Sequence, residues 1–135
     1  MPYTNIVTSF IKNDDKILIL KRSDKVKSMK SLWAGVSGII EKHDATPLSR
    51  AKIEIFEETG IKETKIKLLK ANKQIKISSI QYNNHEWNIF PFLFNAESPE
   101  IKLNWENSDF KWIEPKEIKN YETVPELEKI LFSLL

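Results

Sequence analysis

Three glutamates of one predicted helix, Glu54, Glu57 and Glu58, have the residue type and the spacing to bind a metal ion. At about 100° per residue they lie within an arc of roughly 100° on one helix face. Like charges at this spacing destabilise a helix by about 0.2–0.5 kcal/mol per pair, and the helix dipole disfavours anions in the last turn. Clustered carboxylates on a rigid helix suit Mg²⁺ or Mn²⁺, which in turn bind phosphate groups. The alternative is a solvated charged face in which Arg50 pairs with Glu54, and the three acids alone leave both interpretations open.

The helix that must hold these acids has a recognisable start and end. Thr46 places a capping hydroxyl before Pro47, which is suited to the first helical position. Gly60 is expected to end the helix after Thr59 in the left-handed conformation. One face should pack on a sheet, with further apolar residues widening that face. The expected sheet-facing residues are Leu48, Ala51, Ile55 and Thr59, and the expected widening residues are Ile53 and Phe56.

Most of the remaining chain is typical of β-strands, so the predicted class is α+β. The predicted strands are 6–11, 16–21, 33–40, 66–69, 75–82, 87–94 and 110–113. A polar loop is expected over 23–31, and Asn83-Asn84 is a candidate hairpin turn. Pro115 should begin a short helical turn, and Val124-Pro125 should begin a terminal helix that runs to Leu135.

The composition excludes several classes of enzyme. The chain has 135 residues with 3 Gly, no Cys and 2 His. The glycine-rich phosphate loops and the G-x-S-x-G nucleophile turn each require glycines at positions where this sequence has none. The absence of cysteine excludes disulfides, a thiolate nucleophile and Cys-ligated zinc. Both His43 and His85 lie in polar stretches without a partner at metal-ligand spacing, so solvent exposure is expected for them.

Size indicates one domain, 1–135, and the charge gives no sign of a macromolecular partner. Domains of about 100–150 residues are the commonest, and this length can bury a substantial core. The net charge of +2 is too balanced to indicate a nucleic-acid or membrane partner. No apolar run approaches the ~20 residues of a membrane span, and no signal peptide is read at the N-terminus. The expected location is the cytoplasm, and a homodimer is left open.

The residues around the acids form a longer motif. Gly38 followed by Glu54-Ile55-Phe56-Glu57-Glu58-Thr59-Gly60-Ile61 resembles the Nudix hydrolase signature, G-x5-E-x7-R-E-U-x-E-E-x-G-U, where U is aliphatic. Further segments are similar to other family elements, so the resemblance spans about residues 4–120. These segments are Leu18 to Arg22, Trp33 to Gly38 and Trp112 to Ile118.

Two departures from the signature concern the helix. Ile53 stands where the family has an arginine, and the interval from Gly38 to Glu54 is one residue longer than the pattern. Asp44 occupies the acidic position counted from Gly38, although Glu41 is an alternative for it. The resemblance therefore covers the acids and the glycines of the motif but not its arginine.

The resemblance implies a fold and a reaction. The expected fold is an α/β/α sandwich with a mixed β-sheet between helices. The expected reaction is metal-dependent hydrolysis of the pyrophosphate bond of a nucleoside diphosphate linked to another group, such as ADP-ribose, or of a nucleoside triphosphate. Carried over by position, Glu57 and Glu58 are metal ligands, Glu54 is a ligand or the base, and the Gly38 carbonyl is a further ligand. Mg²⁺ is the expected cofactor, with Mn²⁺ as the alternative.

Four further residues are candidates for the site. Arg50 lies one turn before Glu54 on the same face, and we hypothesise that it orients Glu54 in place of the absent arginine. Glu106 lies in a polar loop where some Nudix enzymes have an acid that serves as the general base. Arg22 is a candidate for binding substrate phosphate, and Trp33 for stacking on a base. The ordinary alternatives are a surface ion pair for Arg50, surface charges for Glu106 and Arg22, and a core position for Trp33.

A competing interpretation is a Nudix-like module that binds a nucleotide and regulates another process without catalysis. Ile53 favours this alternative, because the family arginine is missing there. The intact set of three glutamates favours the enzyme, since binding alone does not obviously require all three. An enzyme acting on a capped RNA end shares the chemistry, but it would need a basic groove that the balanced charge does not indicate.

Overall fold

A central β-sheet of eight strands makes up most of the structure, a computed structural model that describes residues 3–79 and 85–135. The strands are β1 (Tyr3–Asn13), β2 (Lys16–Arg22), β3 (Trp33–Ala34), β4 (Val36–Ile39), β5 (Ile66–Ala71), β6 (Ile75–Ser79), β7 (His85–Ala96) and β8 (Asn107–Ile113). The helices are α1 (Pro47–Thr59) and α2 (Leu127–Leu134), with short 3-10 helices at Glu63–Lys65 and Pro115–Asn120. The candidate turn at Asn83-Asn84 lies outside the described residues.

Strand β1 occupies the centre of the sheet and changes partner along its length. On one side it pairs in parallel with β7 from Tyr3 to Lys12. On the other side residues 6–9 pair with β4, and residues 12 and 13 pair with β2. Strand β2 in turn pairs with β8 and β3. The mixed sheet expected from the sequence is confirmed.

The two long helices cover opposite faces of this sheet. Alternate residues of β1 enter different clusters, because successive side chains of a strand point to opposite faces. Val7 and Ile11 pack in one apolar cluster with Ile55 of α1. Phe10 packs in the other cluster with Ile130 of α2. The arrangement is the predicted α+β sandwich, with one core on each side of the sheet.

Helix α1 begins and ends where the sequence predicts. The Thr46 hydroxyl accepts a hydrogen bond from the Ser49 amide at 3.0 Å, and the Ser49 hydroxyl accepts one from the Thr46 amide at 3.2 Å. At the other end Gly60 has φ of 77° and donates its N–H to the Phe56 carbonyl. These reciprocal bonds satisfy backbone groups that a helix end otherwise leaves free.

The expectation that Ile53 and Phe56 widen the apolar face of α1 is wrong. Ile53 is 41% exposed and Phe56 is 53% exposed. The sheet-facing side is centred on Ala51 and Ile55, and at about 100° per residue positions 53 and 56 fall on the opposite side of the helix. The buried flanks of that side are occupied instead by the charged residues Arg50, Glu54 and Glu58. Two of the three helix glutamates are therefore buried.

Several predicted boundaries differ from the structure, and three of the differences have a clear physical cause. The predicted strand 33–40 is divided at Gly35, where a Cβ would lie 2.8 Å from the Ser9 carbonyl oxygen. The terminal helix begins at Leu127, because Glu126 adopts a left-handed conformation with φ of 65° and the Val124 amide bonds to the Trp33 carbonyl. Strand β8 begins at Asn107, three residues before the predicted start, since it continues its pairing with Arg22.

His43 is exposed as expected, but His85 is not. The His85 ring is partly buried, and its Nε2 lies 2.7 Å from the Thr4 hydroxyl. It also stacks at a tilt on Trp87, with ring centroids 4.7 Å apart. The contact with Thr4 forms because β1 and β7 pair in parallel from Tyr3 to Lys12, which the local sequence does not reveal. Within the described part of the chain, no helix is long and apolar enough to span a bilayer.

Candidate active site

Three carboxylates converge at one end of helix α1. Glu54 and Glu58 come from successive turns of the helix, and Glu106 comes from the loop before β8. One carboxylate oxygen from each lies within 4.8 Å of the others. Glu54 and Glu58 are buried and Glu106 is partly buried. Buried carboxylates this close together are unfavourable unless a cation or protons compensate them.

The pKa values of the three groups show this cost. Burial raises the pKa of Glu58 well above its ordinary value, and the charge of Glu106 raises it further. Burial also raises the pKa of Glu54, although the hydrogen bond from Arg50 partly offsets that effect. The pKa of Glu106 is raised mainly by burial as well. The ionised form of the cluster is therefore unfavourable unless a positive charge lies close to it.

The hydrogen bonding of Glu58 leaves one oxygen available for such a charge. Its Oε1 accepts a hydrogen bond from Asn107 Nδ2 at 3.0 Å. Its Oε2 is buried and accepts from no N–H or hydroxyl donor among the described residues, so only a proton shared with the Glu54 carboxyl or a cation can compensate it. A buried carboxylate oxygen without a donor is costly, and it is a suitable ligand atom for a hard divalent cation. The donor set thus fits Mg²⁺ or Mn²⁺.

Gly38 is required by the close approach of β4 to the carboxylate of Glu54. A Cβ at position 38 would overlap the Glu54 side chain, with its nearest approach at the carboxylate carbon. The glycine therefore allows its own backbone to lie directly against the acid cluster. The role of the Gly38 carbonyl as a metal ligand stays a prediction.

Arg50 links two acids, as the sequence hypothesis requires for Glu54. Its Nη1 donates to Glu54 Oε2 at 3.1 Å. Its Nε and Nη2 donate to the two carboxylate oxygens of Asp44 at 2.8 and 3.0 Å. Asp44 also accepts a hydrogen bond from the Glu41 amide at 2.7 Å, and the Arg50 guanidinium holds the pKa of Asp44 below its ordinary value. At most 10% of each of the three side chains is exposed. The ion pairs of Arg50 with Asp44 and with Glu54 are therefore not ordinary surface ion pairs.

Glu57 occupies a different position from the other two helix acids. Its side chain is exposed, and it does not belong to the group of three convergent oxygens. Its charge nevertheless raises the pKa of both Glu54 and Glu106. Glu57 therefore lies on the solvent side of the cluster, within electrostatic reach of it.

A cavity of about 420 Å³ opens beside the acids. Glu54, Glu106, Gly38 and Arg22 all line it. The Arg22 guanidinium donates from Nε and Nη2 to the Ser28 carbonyl at 3.2 and 3.0 Å, and its charge counteracts the rise in the Glu106 pKa. The volume falls within the range of about 300–1,000 Å³ that is typical of small-molecule sites.

Trp33, the predicted stacking residue, lies in the core instead. It is 8% exposed and packs edge-to-face against Tyr121, with ring centroids 5.3 Å apart. It is not among the described residues that line the cavity, which favours the core alternative. Two residues that the sequence reasoning missed do adjoin the acids, namely Asn107, which bonds Glu58, and Trp105, which lines the cavity. Their signal was a polar loop that contained an isolated Trp next to the candidate acid Glu106.

Comparison with known proteins gives a consistent result. The family model described as the NUDIX domain matches residues 2–134. A search of curated proteins finds no match. Among solved structures, a MutT protein from Methanosarcina mazei is similar, with a TM-score of 0.76 and 20% identity over 98% of this chain and 92% of that one.

Two other solved structures are similar at lower identity. An Ap4A hydrolase from C. elegans, in a binary complex, has a TM-score of 0.78 and 15% identity over 96% of this chain and 95% of that one. The NUDIX domain of NrtR from Shewanella oneidensis, in complex with ADP ribose, has a TM-score of 0.75 and 13% identity over 98% of this chain and 88% of that one. Identities this low show a shared fold, whereas the family model matches nearly the whole sequence. The chain therefore belongs to the Nudix family of pyrophosphohydrolases.

Proposed function

We propose that this chain, as a single domain over 1–135, hydrolyses the pyrophosphate bond of a nucleoside diphosphate linked to another group, with Mg²⁺ or Mn²⁺ as cofactor. The observation that carries the proposal is the set of three convergent carboxylates, in which Glu58 has a buried oxygen without a donor, beside a cavity of substrate size. Nucleotide-sugars such as ADP-ribose and nucleoside triphosphates are the candidate substrates. Two of the similar structures support this substrate class, since one is called an Ap4A hydrolase and the other is a complex with ADP ribose.

Each residue of the site has a distinct proposed role. Glu54 and Glu58 would hold the cation from inside the protein, and Glu57 and the Gly38 carbonyl would complete the ligand set from the solvent side and from β4. When bound, the cation neutralises phosphate charge and lowers the pKa of water. Glu106 and Glu54 are the candidates for the general base, because both carboxylates line the cavity. Arg22 would bind phosphate, since its guanidinium reaches the same cavity.

Arg50 is the proposed positioning residue for Glu54. Its guanidinium is held on Asp44 by two hydrogen bonds, and a third reaches Glu54 from a fixed direction. The side chain of Ile53, at the motif position, is exposed on the outer side of α1. An arginine one turn earlier on the helix thus supplies a guanidinium that position 53 lacks.

The second candidate function is nucleotide binding without hydrolysis, in a regulatory role. The observation that favours it is Ile53 in place of the motif arginine. The contact between Arg50 and Glu54 weakens this alternative, because a guanidinium is present at the acid despite the substitution.

A substrate panel tests the two functions against each other. Nucleoside triphosphates, ADP-ribose, dinucleoside polyphosphates and capped RNA would each be assayed with Mg²⁺ and with Mn²⁺. Hydrolysis of at least one compound by the wild type, lost in Glu58→Gln and kept in the surface control Glu128→Gln, supports the enzyme. Tight nucleotide binding with no turnover of any compound contradicts the enzyme and supports the regulatory module.

A further inference from the structure

Asn107, the first residue of β8, has a buried side chain in contact with the acid cluster. It is 7% exposed, although asparagine is mostly a surface residue in folded proteins. Its Nδ2 donates to Glu58 Oε1 at 3.0 Å, and this nitrogen is the donor of an uncharged amide. The side chain therefore has one defined partner, the carboxylate of Glu58, rather than a general place in the apolar core.

A β-bulge in β8 turns Asn107 towards α1. Two neighbouring residues of β2 pair with residues 109 and 107, so the ladder skips Ser108. Phe110 packs against the apolar cluster on the α1 side of the sheet. Residues an odd number of positions apart in a regular strand point to opposite faces, so without the extra residue Asn107 would face away from α1. The bulge therefore brings the amide to the face on which Glu58 lies.

The backbone on both sides of Asn107 is held by the end of β2. Asn107 pairs with Arg22 in the ladder, and the Ser23 amide donates to the Glu106 carbonyl at 2.8 Å. The Glu106 amide in turn donates to the Asn104 side chain at 3.0 Å. Ser23 is buried, so its bond is shielded from water. The amide of Asn107 thus reaches Glu58 from a fixed segment of backbone.

The hydrogen bond from Asn107 fixes the orientation of the Glu58 carboxylate. The last torsion of a glutamate is soft, so a carboxylate without a donor can rotate about it. With Oε1 held by Asn107, the oxygen left for a cation is Oε2, which accepts from no N–H or hydroxyl donor among the described residues. Because the donor is neutral, the negative charge of Glu58 is not cancelled by a neighbouring cationic side chain. A ligand oriented in advance in this way should bind a cation more tightly.

We propose that Asn107 is a positioning residue for Glu58, and that the bulge at Ser108 exists in β8 to bring its amide there. The inference rests on the proposed function, because it assumes that a divalent cation binds the acid cluster. It assigns to β8 a role in the site that is separate from that of α1, where Arg50 orients Glu54. Its consequence is that Asn107 sets the affinity for the metal even without nucleotide.

The affinity for Mn²⁺ alone, without nucleotide, tests the inference. Free Mn²⁺ would be measured by electron paramagnetic resonance in titrations of the wild type and of Asn107→Leu, which keeps the size of the side chain and removes the donor. The Kd of the variant is expected to rise about 10- to 100-fold, the range for loss of an outer partner of a metal ligand. The Mn²⁺ concentration that gives half-maximal hydrolysis should rise by the same factor.

Asn88→Leu is the matched control. Asn88 is 8% exposed, its Nδ2 donates to Asn5 Oδ1 at 3.0 Å, and it is not among the cavity-lining residues described. Each variant removes one buried amide and its hydrogen bond, so both should lower Tm in EDTA. The Mn²⁺ Kd of Asn88→Leu should nevertheless stay within twofold of the wild type. An equal rise of Kd in both variants would show a general effect on the fold and would overturn the inference.

A double variant shows whether Asn107 acts through Glu58. Glu58→Gln already removes the charge of the ligand, so the same protein with Asn107→Leu added should bind Mn²⁺ as Glu58→Gln does, within twofold. A further tenfold loss in the double variant would mean that Asn107 acts elsewhere, contrary to the inference. If Asn107→Leu does not fold, Asn107→Ser and Asn88→Ser replace the two leucine variants, because the short serine side chain also removes the amide, and the same ratios decide.

The outcomes separate the inference from the proposed function. If the wild type hydrolyses a nucleotide and Asn107→Leu binds Mn²⁺ as tightly as the wild type, the inference is wrong and the proposed function stands. If the wild type binds Mn²⁺ but hydrolyses nothing, the proposed function is wrong, and the Kd ratios still decide the inference. Failure of the wild type to bind Mn²⁺ overturns the inference, since Asn107 then has no metal ligand to orient.

Discussion

Arg50 binds two carboxylates at once, those of Asp44 and Glu54, because of its position on α1. Two of its donors engage Asp44, and a third reaches Glu54 one turn further along the helix. A guanidinium can do this because it is planar and carries five donors in a fixed arrangement. The two hydrogen bonds to Asp44 fix the orientation of the guanidinium plane. The third donor therefore approaches Glu54 from a defined direction.

Substitution of Arg50 by Ala should lower turnover more than it lowers substrate binding. The expected loss in kcat is about 10- to 100-fold, the range seen when a group that orients a metal ligand is removed. Asp44 would lose both of its hydrogen bonds from the guanidinium, so the free energy of unfolding should also fall. Steady-state kinetics well below the Tm of the variant would measure the effect on kcat and KM separately.

The control for this variant is Lys52→Ala, which removes the exposed ion pair between Lys52 and Glu63. Such a pair contributes about 0–1 kcal/mol, so neither kcat nor Tm should change much. Arg50→Lys retains the charge but not the fork, and its kcat should lie between the wild type and Arg50→Ala. A loss of kcat below about threefold in Arg50→Ala, equivalent to under ~0.7 kcal/mol, would contradict the positioning role.

Glu58 shows how the site reduces the stability of the metal-free protein. Its carboxylate is buried, its pKa is raised by burial and by Glu106, and one oxygen lacks a donor among the described residues. Glu58→Gln removes the charge and keeps the shape, and the amide oxygen can still accept from Asn107. We expect this variant to be more stable than the wild type in EDTA, by about 0.5–2 kcal/mol, and to lose metal-dependent activity.

Thermal unfolding in EDTA, followed by circular dichroism, measures this effect. The exposed acid of α2, Glu128, provides the matched substitution Glu128→Gln, for which Tm should stay within about a degree of the wild type because an exposed substitution of this kind changes stability little. A lower Tm of Glu58→Gln in EDTA would show that the carboxylate stabilises the metal-free fold, contrary to the argument.

Two glycines flank the acids of α1 for different physical reasons. Gly38 lies against the Glu54 carboxylate, so its lack of a Cβ makes room for a functional group. Gly60 has φ of 77° and ends the helix, so its lack of a Cβ permits a backbone conformation. The same substitution at the two positions should therefore have separable consequences.

Gly38→Ala is expected to lower activity at least tenfold, because the new Cβ overlaps the Glu54 side chain and must displace it. Gly60→Ala is expected to cost about 1 kcal/mol of stability, since alanine is disfavoured in the left-handed conformation, and to leave kcat nearly unchanged. Activity and denaturant unfolding would be measured on both variants. If Gly38→Ala keeps full activity, or if Gly60→Ala loses activity while still folded, this assignment of the two glycines is wrong.

The features that the sequence predicted are those with local causes. The bounds of α1 follow from Thr46 and Gly60, whose capping chemistry involves their immediate neighbours. The contact of Arg50 with Glu54 follows from a spacing of four residues on a helix. In each case the interacting groups are close in the chain, so the pattern of residue types contains the information.

The features that were missed depend on contacts between distant segments. Trp33 lies in the core because it packs on Tyr121, and Trp105 lines the cavity because Ser23 holds its loop. Neither contact has a signature in the residues next to the tryptophan. The exposure of Phe56 was missed for a related reason, since acids rather than apolar residues occupy the buried flank of α1. Charged residues of the candidate site occupy positions there that would otherwise be apolar. Predictions from the hydrophobic pattern therefore fail at such positions.

In the molecule as a whole, the site lies beside the part of β1 that pairs with β4 rather than with β2. Residues 6–9 of β1 pair with β4, and residues 12 and 13 pair with β2. Gly38 belongs to β4 and Arg22 is the last residue of β2, so the two strands that share one edge of β1 present their site residues to one cavity. The sheet rests on an apolar core on each face, and this double support holds a cluster of like charges that is unfavourable by itself.

A bound divalent cation should therefore stabilise the entire fold. The cation binds the native cluster and not the unfolded chain, so the gain is about 2.7 kcal/mol when its free concentration is one hundred times Kd. For a chain of this length each kcal/mol corresponds to a rise of Tm of roughly 2–8 °C. Thermal unfolding with EDTA, Mg²⁺ and Mn²⁺ at constant ionic strength would measure the shift. The shift should disappear in Glu58→Gln and remain in Glu128→Gln, because Glu58 belongs to the convergent carboxylates and Glu128 does not. An equal shift in both variants, or no shift with either metal in the wild type, would contradict a metal site built on these carboxylates.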